Sequence, residues 1–155
     1  MERLEIIETL KHMPDALEAV LEGVPEDVLR ARPPEGWSAK EVVGHINDYC
    51  EVWHTRLYTV WALNDPVFVS FDGEQRVIER GYQDKPVAPV IESIRAKRLE
   101  TVDLLSHAVD WTRLGQQGGV GRRSLKQFAE LLIEHDRTHL AQIEACKASA
   151  AVRST

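Results

Sequence analysis

Apolar residues recur at helical spacing in four long stretches, separated by proline, glycine or capping pairs. Over residues 2–22, Leu4, Ile7, Leu10, Leu17 and Leu21 mark a first helix that Pro14 should kink or divide and Gly23 should end. Residues 25–30 read as one short helical turn, and residues 32–36 as loop. Ser38 and Glu41 have capping-box spacing and open a second long helix that runs to about Leu63, where Asn64-Asp65-Pro66 stops it. Residues 67–71 alternate like a strand, but no partner strand is evident, and an isolated strand is unstable. They read as a packed crossover, followed by a short helix near 74–80. A third long helix spans 89–108, with Ile91, Ile94, Thr101, Leu105 and Ala108 inward. Residues 110–123 hold Gly115, Gly118, Gly119 and Gly121 and read as a loop or irregular hairpin. Ser124 and Gln127 repeat the capping spacing and open a fourth helix that ends near Lys147. The expected organisation is an all-α four-helix bundle over residues 1–148, with a long crossover between the second and third helices and a flexible tail at 149–155.

The fourth stretch is the chemically informative one. Phe128, Leu132, His135, His139, Ile143 and Cys146 share one apolar stripe, and the two histidines lie one turn apart. A buried polar group without a partner costs about 1–3 kcal/mol, so both rings need partners. A metal ion supplies one for both; carbonyls or a carboxylate would also do. On the second helix, Val42, His45, Tyr49, Val52 and Arg56 form another inward stripe, which adds a third histidine. Three neutral imidazoles suit zinc or nickel and leave coordination positions open, as in catalytic rather than structural sites. The alternative is a trio of satisfied core histidines. Were the site hydrated, proton competition would weaken metal binding steeply below about pH 6.

The remaining candidates are weaker. His12, His54 and His107 suit surface or capping roles. Asp136 points about 100° away from His135 and suits a surface or cross-helix partner. Asp48 lies near His45 and is a candidate to orient it or act as a base. Tyr49 suits the core, with a hydroxyl able to reach a substrate. Arg56 stands about 16 Å along the helix from His45, too far to ligate, and is a candidate partner for a buried acid. Cys50 and Cys146 read as packing. Trp61 falls almost opposite His45, as a dimer contact or cover for the crossover.

The totals narrow the classes. At 155 residues, 43% apolar and 28% charged, the chain fits one globular domain. Its net charge of −6 disfavours a nucleic-acid-coating surface, and no apolar run approaches the roughly 18 residues of a membrane span. The N-terminus lacks the order of a signal peptide, and the two cysteines lie far apart, so a cytoplasmic, reduced protein without nucleic-acid or membrane partners is expected.

Trp37-Ser-Ala-Lys-Glu-Val-Val-Gly-His45 together with His135-Asp-Arg-Thr-His139-Leu-Ala-Gln-Ile143 resembles the DinB-like (DinB/YfiT-like) superfamily. Pro33-Pro34, Arg56 after Trp53, and the glycine loop extend the resemblance over nearly the whole chain. It implies an up-down-down-up bundle, a homodimer, and a divalent metal, zinc or nickel, held by His45, His135 and His139. It also implies small-molecule chemistry: transfer through a low-molecular-weight thiol, with metal-dependent hydrolysis or a non-catalytic metal- or small-molecule-binding stress role as alternatives.

Overall fold

The computed structural model describes residues 1–119 and 121–153. Four long helices build it: α1 (Arg3–Leu21), α3 (Ala39–Ala62), α5 (Val87–His107) and α6 (Leu125–Arg153). Short helices α2 (Glu26–Arg30) and α4 (Gly73–Arg80) and a 3₁₀ turn at Tyr82–Asp84 fill the connections. Among the described residues no helix is long and apolar enough to cross a membrane.

Side-chain pairs set the topology. α3 runs parallel to α5, since Asn47 meets Lys97, Cys50 meets Arg98, and His54 meets Thr101. α3 runs antiparallel to α6, and α1 antiparallel to α5, where Arg95 reaches Asp15 and Glu18. α1 and α3 each pack on both α5 and α6, which puts these two consecutive helices at opposite corners. The order is the expected up-down-down-up, and two parallel neighbours need the long return from α3 to α5.

Both expected capping boxes form. Ser38 and Glu41 exchange bonds of 3.2 and 3.1 Å at the start of α3, and Ser124 and Gln127 bonds of 3.1 and 2.9 Å at the start of α6. α1 passes through Pro14 as one helix and ends before Gly23, whose φ is +69°. Pro89 sits in the first turn of α5, where its missing N–H is no loss.

Two local readings change, and one open alternative closes. The strand-like segment has a partner after all: β1 (Val67–Phe68) pairs in parallel with β2 (Leu114–Gln117), which turns back onto β3 (Gly121–Ser124). The glycine-rich stretch is thus the hairpin, and it ties the end of α3 to the start of α6. α6 also runs past Lys147 to Arg153, because Ala150 is buried and Arg153 donates to the Arg32 carbonyl at 2.5 Å. Residues 154–155 of the expected tail lie outside the described residues.

The core divides into two apolar clusters. One gathers Leu10, Trp53, Leu57, Leu105, Phe128 and Leu132. The other gathers Leu17, Val42, Ile46, Ile94, Ile143 and Cys146. Along α6, His135, Asp136 and His139 fall between the buried residues of the first cluster, which end at Ile133, and those of the second, which begin at Ile143, whereas His45 stands on α3 among second-cluster residues.

Candidate metal centre

His45, in the second turn of α3, is buried at 7% exposure, and antiparallel α6 brings His135 and His139 to it half-buried. One ligand atom from each ring lies within 4.8 Å of the other two. The Nε2 atoms of His45 and His135 face each other at 3.3 Å. The His139 ring centre is 4.4 Å from each of the other two. The three sequence-chosen histidines are thus brought together; His12, His54 and His107 are not part of the cluster. His12 lies by Glu8 and Asp15, His54 bonds Thr101, and His107 bonds the Asp103 carbonyl.

The cluster's protonation suits coordination. Burial, with the charge of His139 second, pushes the His45 pKa down to about 3. Burial, then the neighbouring histidines and arginines, pushes His135 down to about 2. Burial also lowers His139, against a bond to Gln142 that raises it. All three rings are therefore neutral at pH 7, with lone pairs available. His139 Nδ1 lies 2.8 Å from Gln142 Oε1, so it carries the proton and leaves Nε2 free for an ion. The Nδ1 atoms of His45 and His135 are buried without a hydrogen-bond partner. Two imidazoles face to face, backed by unpaired nitrogens, satisfy each other poorly; the donor set fits a divalent cation better than a packed core.

The surroundings are aromatic and close. The Trp37 ring lies 4.7 Å from His45, and Tyr49 lies 4.5 Å from His45 and 4.8 Å from His135. Tyr49 donates to the Phe71 carbonyl at 3.2 Å, which fastens the crossover over the site. Gly73, at the start of α4, abuts His45 so closely that a Cβ there would lie 2.9 Å from its ring. Gly44 likewise admits the Tyr82 ring, which a Cβ would meet at 2.1 Å. Tyr82 then donates to Asp48 at 2.6 Å and accepts from Asn47 at 3.1 Å.

The other candidates find different places. The Asp48 Oδ1 that takes the Tyr82 bond also meets Arg80 at 3.3 Å, so that oxygen does not orient His45. Asp136 is buried as a cross-helix partner, held by both terminal nitrogens of Arg98 at 2.6 and 3.0 Å. Arg56 is buried, and no acid pairs with it among the described residues, contrary to the sequence expectation; it lies over the Trp53 ring at 5.6 Å. Cys50 and Cys146 are buried free thiols, and burial raises both pKa values. Trp61 is partly exposed at the outer face beside Tyr58.

Sequence reasoning missed Gln142, Gly73 and Arg98. Gln142 had a signal, one turn beyond His139 on the same helix. Gly73 had none, because its role comes from the crossover's path.

The family model described as the DinB superfamily matches residues 9–143. Among solved structures, YfiT from Bacillus subtilis superposes with a TM-score of 0.87 at 17% identity, over 95% of this chain and 86% of that one. It is described as a probable metal-dependent hydrolase with an unusual four-helix bundle topology. At that identity the likeness establishes the fold. No curated protein matches.

Proposed function

The chain belongs to the DinB superfamily, and from that premise we propose a metal-dependent enzyme whose ion is held by His45, His135 and His139. The observation that carries the reading is the convergence of three neutral imidazoles, their ligand atoms within 4.8 Å of one another. A bound zinc or nickel ion would supply Lewis acidity, lowering the pKa of a nucleophile in its open positions. Gln142 would hold the His139 tautomer, and Trp37 and Tyr49 would keep the site dry.

The favoured reaction is transfer through a low-molecular-weight thiol. Among the described residues near the cluster, Asp136 is committed to Arg98, and Asp48 gives one oxygen to Tyr82 and Arg80 while its buried Oδ2 has no hydrogen-bond partner. No carboxylate among the described residues is hydrogen-bonded to the three rings, so a nucleophile there would ionise chiefly by metal contact. A thiol, with a pKa near 8.5, requires a much smaller shift than water at about 15.7. Hydrolysis is the second reading, favoured by the description of the Bacillus subtilis structure.

Untagged protein should carry about one divalent ion per chain, and His139→Ala should lose stoichiometric binding. Elemental analysis that finds no metal after reconstitution would overturn the centre. A panel of electrophiles, turned over with and without a bacterial thiol and with metal-stripped protein as control, separates transfer from hydrolysis.

A further inference from the structure

Residues 67–71 pass over α3 and leave a pocket of about 440 Å³ beside it. Thr55, Arg56, Phe68, Phe71 and Arg76 are among its walls. Arg56 is only 5% exposed. Its hydrogen bond is a long one, 3.5 Å from Nη2 to the Val69 carbonyl, and its other contact is the face of Trp53. Neither neutralises it. Burying a guanidinium without a carboxylate is costly, and arginine cannot escape the cost by losing its proton. Arg76, half-buried, lies over the Phe71 ring at 5.7 Å, and no carboxylate lies within salt-bridge distance of it among the described residues. The pocket's one carboxylate, Glu51, is paired with Lys97 at 3.0 Å.

A buried guanidinium without a carboxylate, Arg56, and a half-buried one, Arg76, which Asp48 and Glu51 balance only from beyond salt-bridge distance, therefore share one pocket in a chain of net charge −6. A planar donor fork matches a carboxylate, and the rings of Phe68 and Phe71 offer an apolar wall beside it. We propose that this pocket binds a small organic acid, its carboxylate on Arg56 and Arg76 and its apolar body against Phe68 and Phe71. Phe71 packs on Tyr49 at 5.0 Å, and Tyr49 packs on His45 and His135. One aromatic layer thus separates the pocket from the histidine cluster, close enough for an anchored acid to be the substrate or a neighbour of it. The proposal goes beyond the metal reading and does not rest on it.

The test uses the full chain, both metal-free and zinc-loaded, with benzoate as probe and benzamide as its neutral counterpart. Benzoate should bind saturably in both forms by calorimetry or chemical-shift titration, and benzamide should not. Arg56→Met should weaken benzoate roughly 10- to 100-fold, and Arg76→Gln by a smaller factor. The melting temperature of unliganded Arg56→Met should hold or rise, since an unpaired buried charge is removed. A merely structural arginine would lower it and leave benzoate binding unchanged in Arg76→Gln. If Arg56→Met does not fold, Arg56→Lys decides: it keeps the charge, loses the fork, and should still weaken benzoate. Benzoate binding that vanishes on metal removal, is matched by benzamide, or survives both arginine changes overturns the proposal, as does no binding at saturating benzoate. The metal-free arm keeps its failure distinct from failure of the metal centre.

Discussion

Arg98 and Arg56 lie on neighbouring helices at 2% and 5% exposure, and the chain completes only one of them. Around Arg98 the charges are paired: both terminal nitrogens donate to Asp136, and Nη2 also reaches Cys50 Sγ. Burial would lower its pKa, but Asp136 more than reverses this and holds it above its ordinary value. Around Arg56 and the histidines, His45 Nδ1, His135 Nδ1 and Trp53 Nε1 have no hydrogen-bond partner. The first region is a polar layer closed by the protein's own groups. The second has the chemistry of a place that something else completes. Burial alone does not separate the two; hydrogen-bond completeness does.

The largest test of that contrast is Asp136→Ala. Leaving Arg98 buried and unpaired should cost about 3–5 kcal/mol in urea unfolding. Arg98→Met with Asp136→Leu should recover most of it, because a closed pair can be replaced by apolar volume. A loss below about 1 kcal/mol would place Arg98 and Arg56 in the same class.

The second test is pH. The folded pKa values of His45 and His135, about 3 and about 2, lie far below the ordinary value of 6.5. Below pH 6.5 the unfolded chain takes up protons that the folded, metal-free chain refuses. The stability these rings contribute is therefore full above pH 6.5 and is lost as pH falls towards 3. The slope should reach up to about 1.4 kcal/mol per pH unit for each ring, and His135→Gln should flatten it. The same burial revises the expectation for a hydrated site. With both rings still neutral at pH 5.5, zinc affinity there should lie within about tenfold of that at pH 7.5, since only His139 is left to compete. A thousandfold fall in a zinc titration would show that the cluster is wet.

The smallest effect belongs to Tyr49→Phe, which removes the bond to the Phe71 carbonyl. About 0.5–1.5 kcal/mol should be lost, with metal stoichiometry unchanged. Loss of the ion in this variant would make the crossover part of the centre rather than its cover.

Much of this was legible in the chain. The helical stripes located all four long helices, and the inward positions of His45, His135 and His139 carried the cluster. Arg98 was missed although it falls on the α5 stripe between Ile94 and Thr101, because polarity argues against burial until a partner is known. The far end of α6 was underestimated because a tail was expected, although alanines at 148, 150 and 151 favour helix. The pairing of Val67–Phe68 with Leu114–Gln117 was not legible. It is a short parallel contact between remote segments, one of them glycine-rich, and no local pattern announces it. The unpaired state of Arg56 was invisible for a related reason: a sequence displays charges but not which of them meet.

His45 and His135 stand 90 residues apart, one in the first third of the chain and one in the last. Whatever joins them can do so only after α3 and α6 have docked, so it cannot speed the search that brings them together. Its free energy falls instead on the return journey, as a slower escape from the native state. Such a ligand acts as a clasp closed last and opened first, and it governs how long the fold survives rather than how quickly it is found.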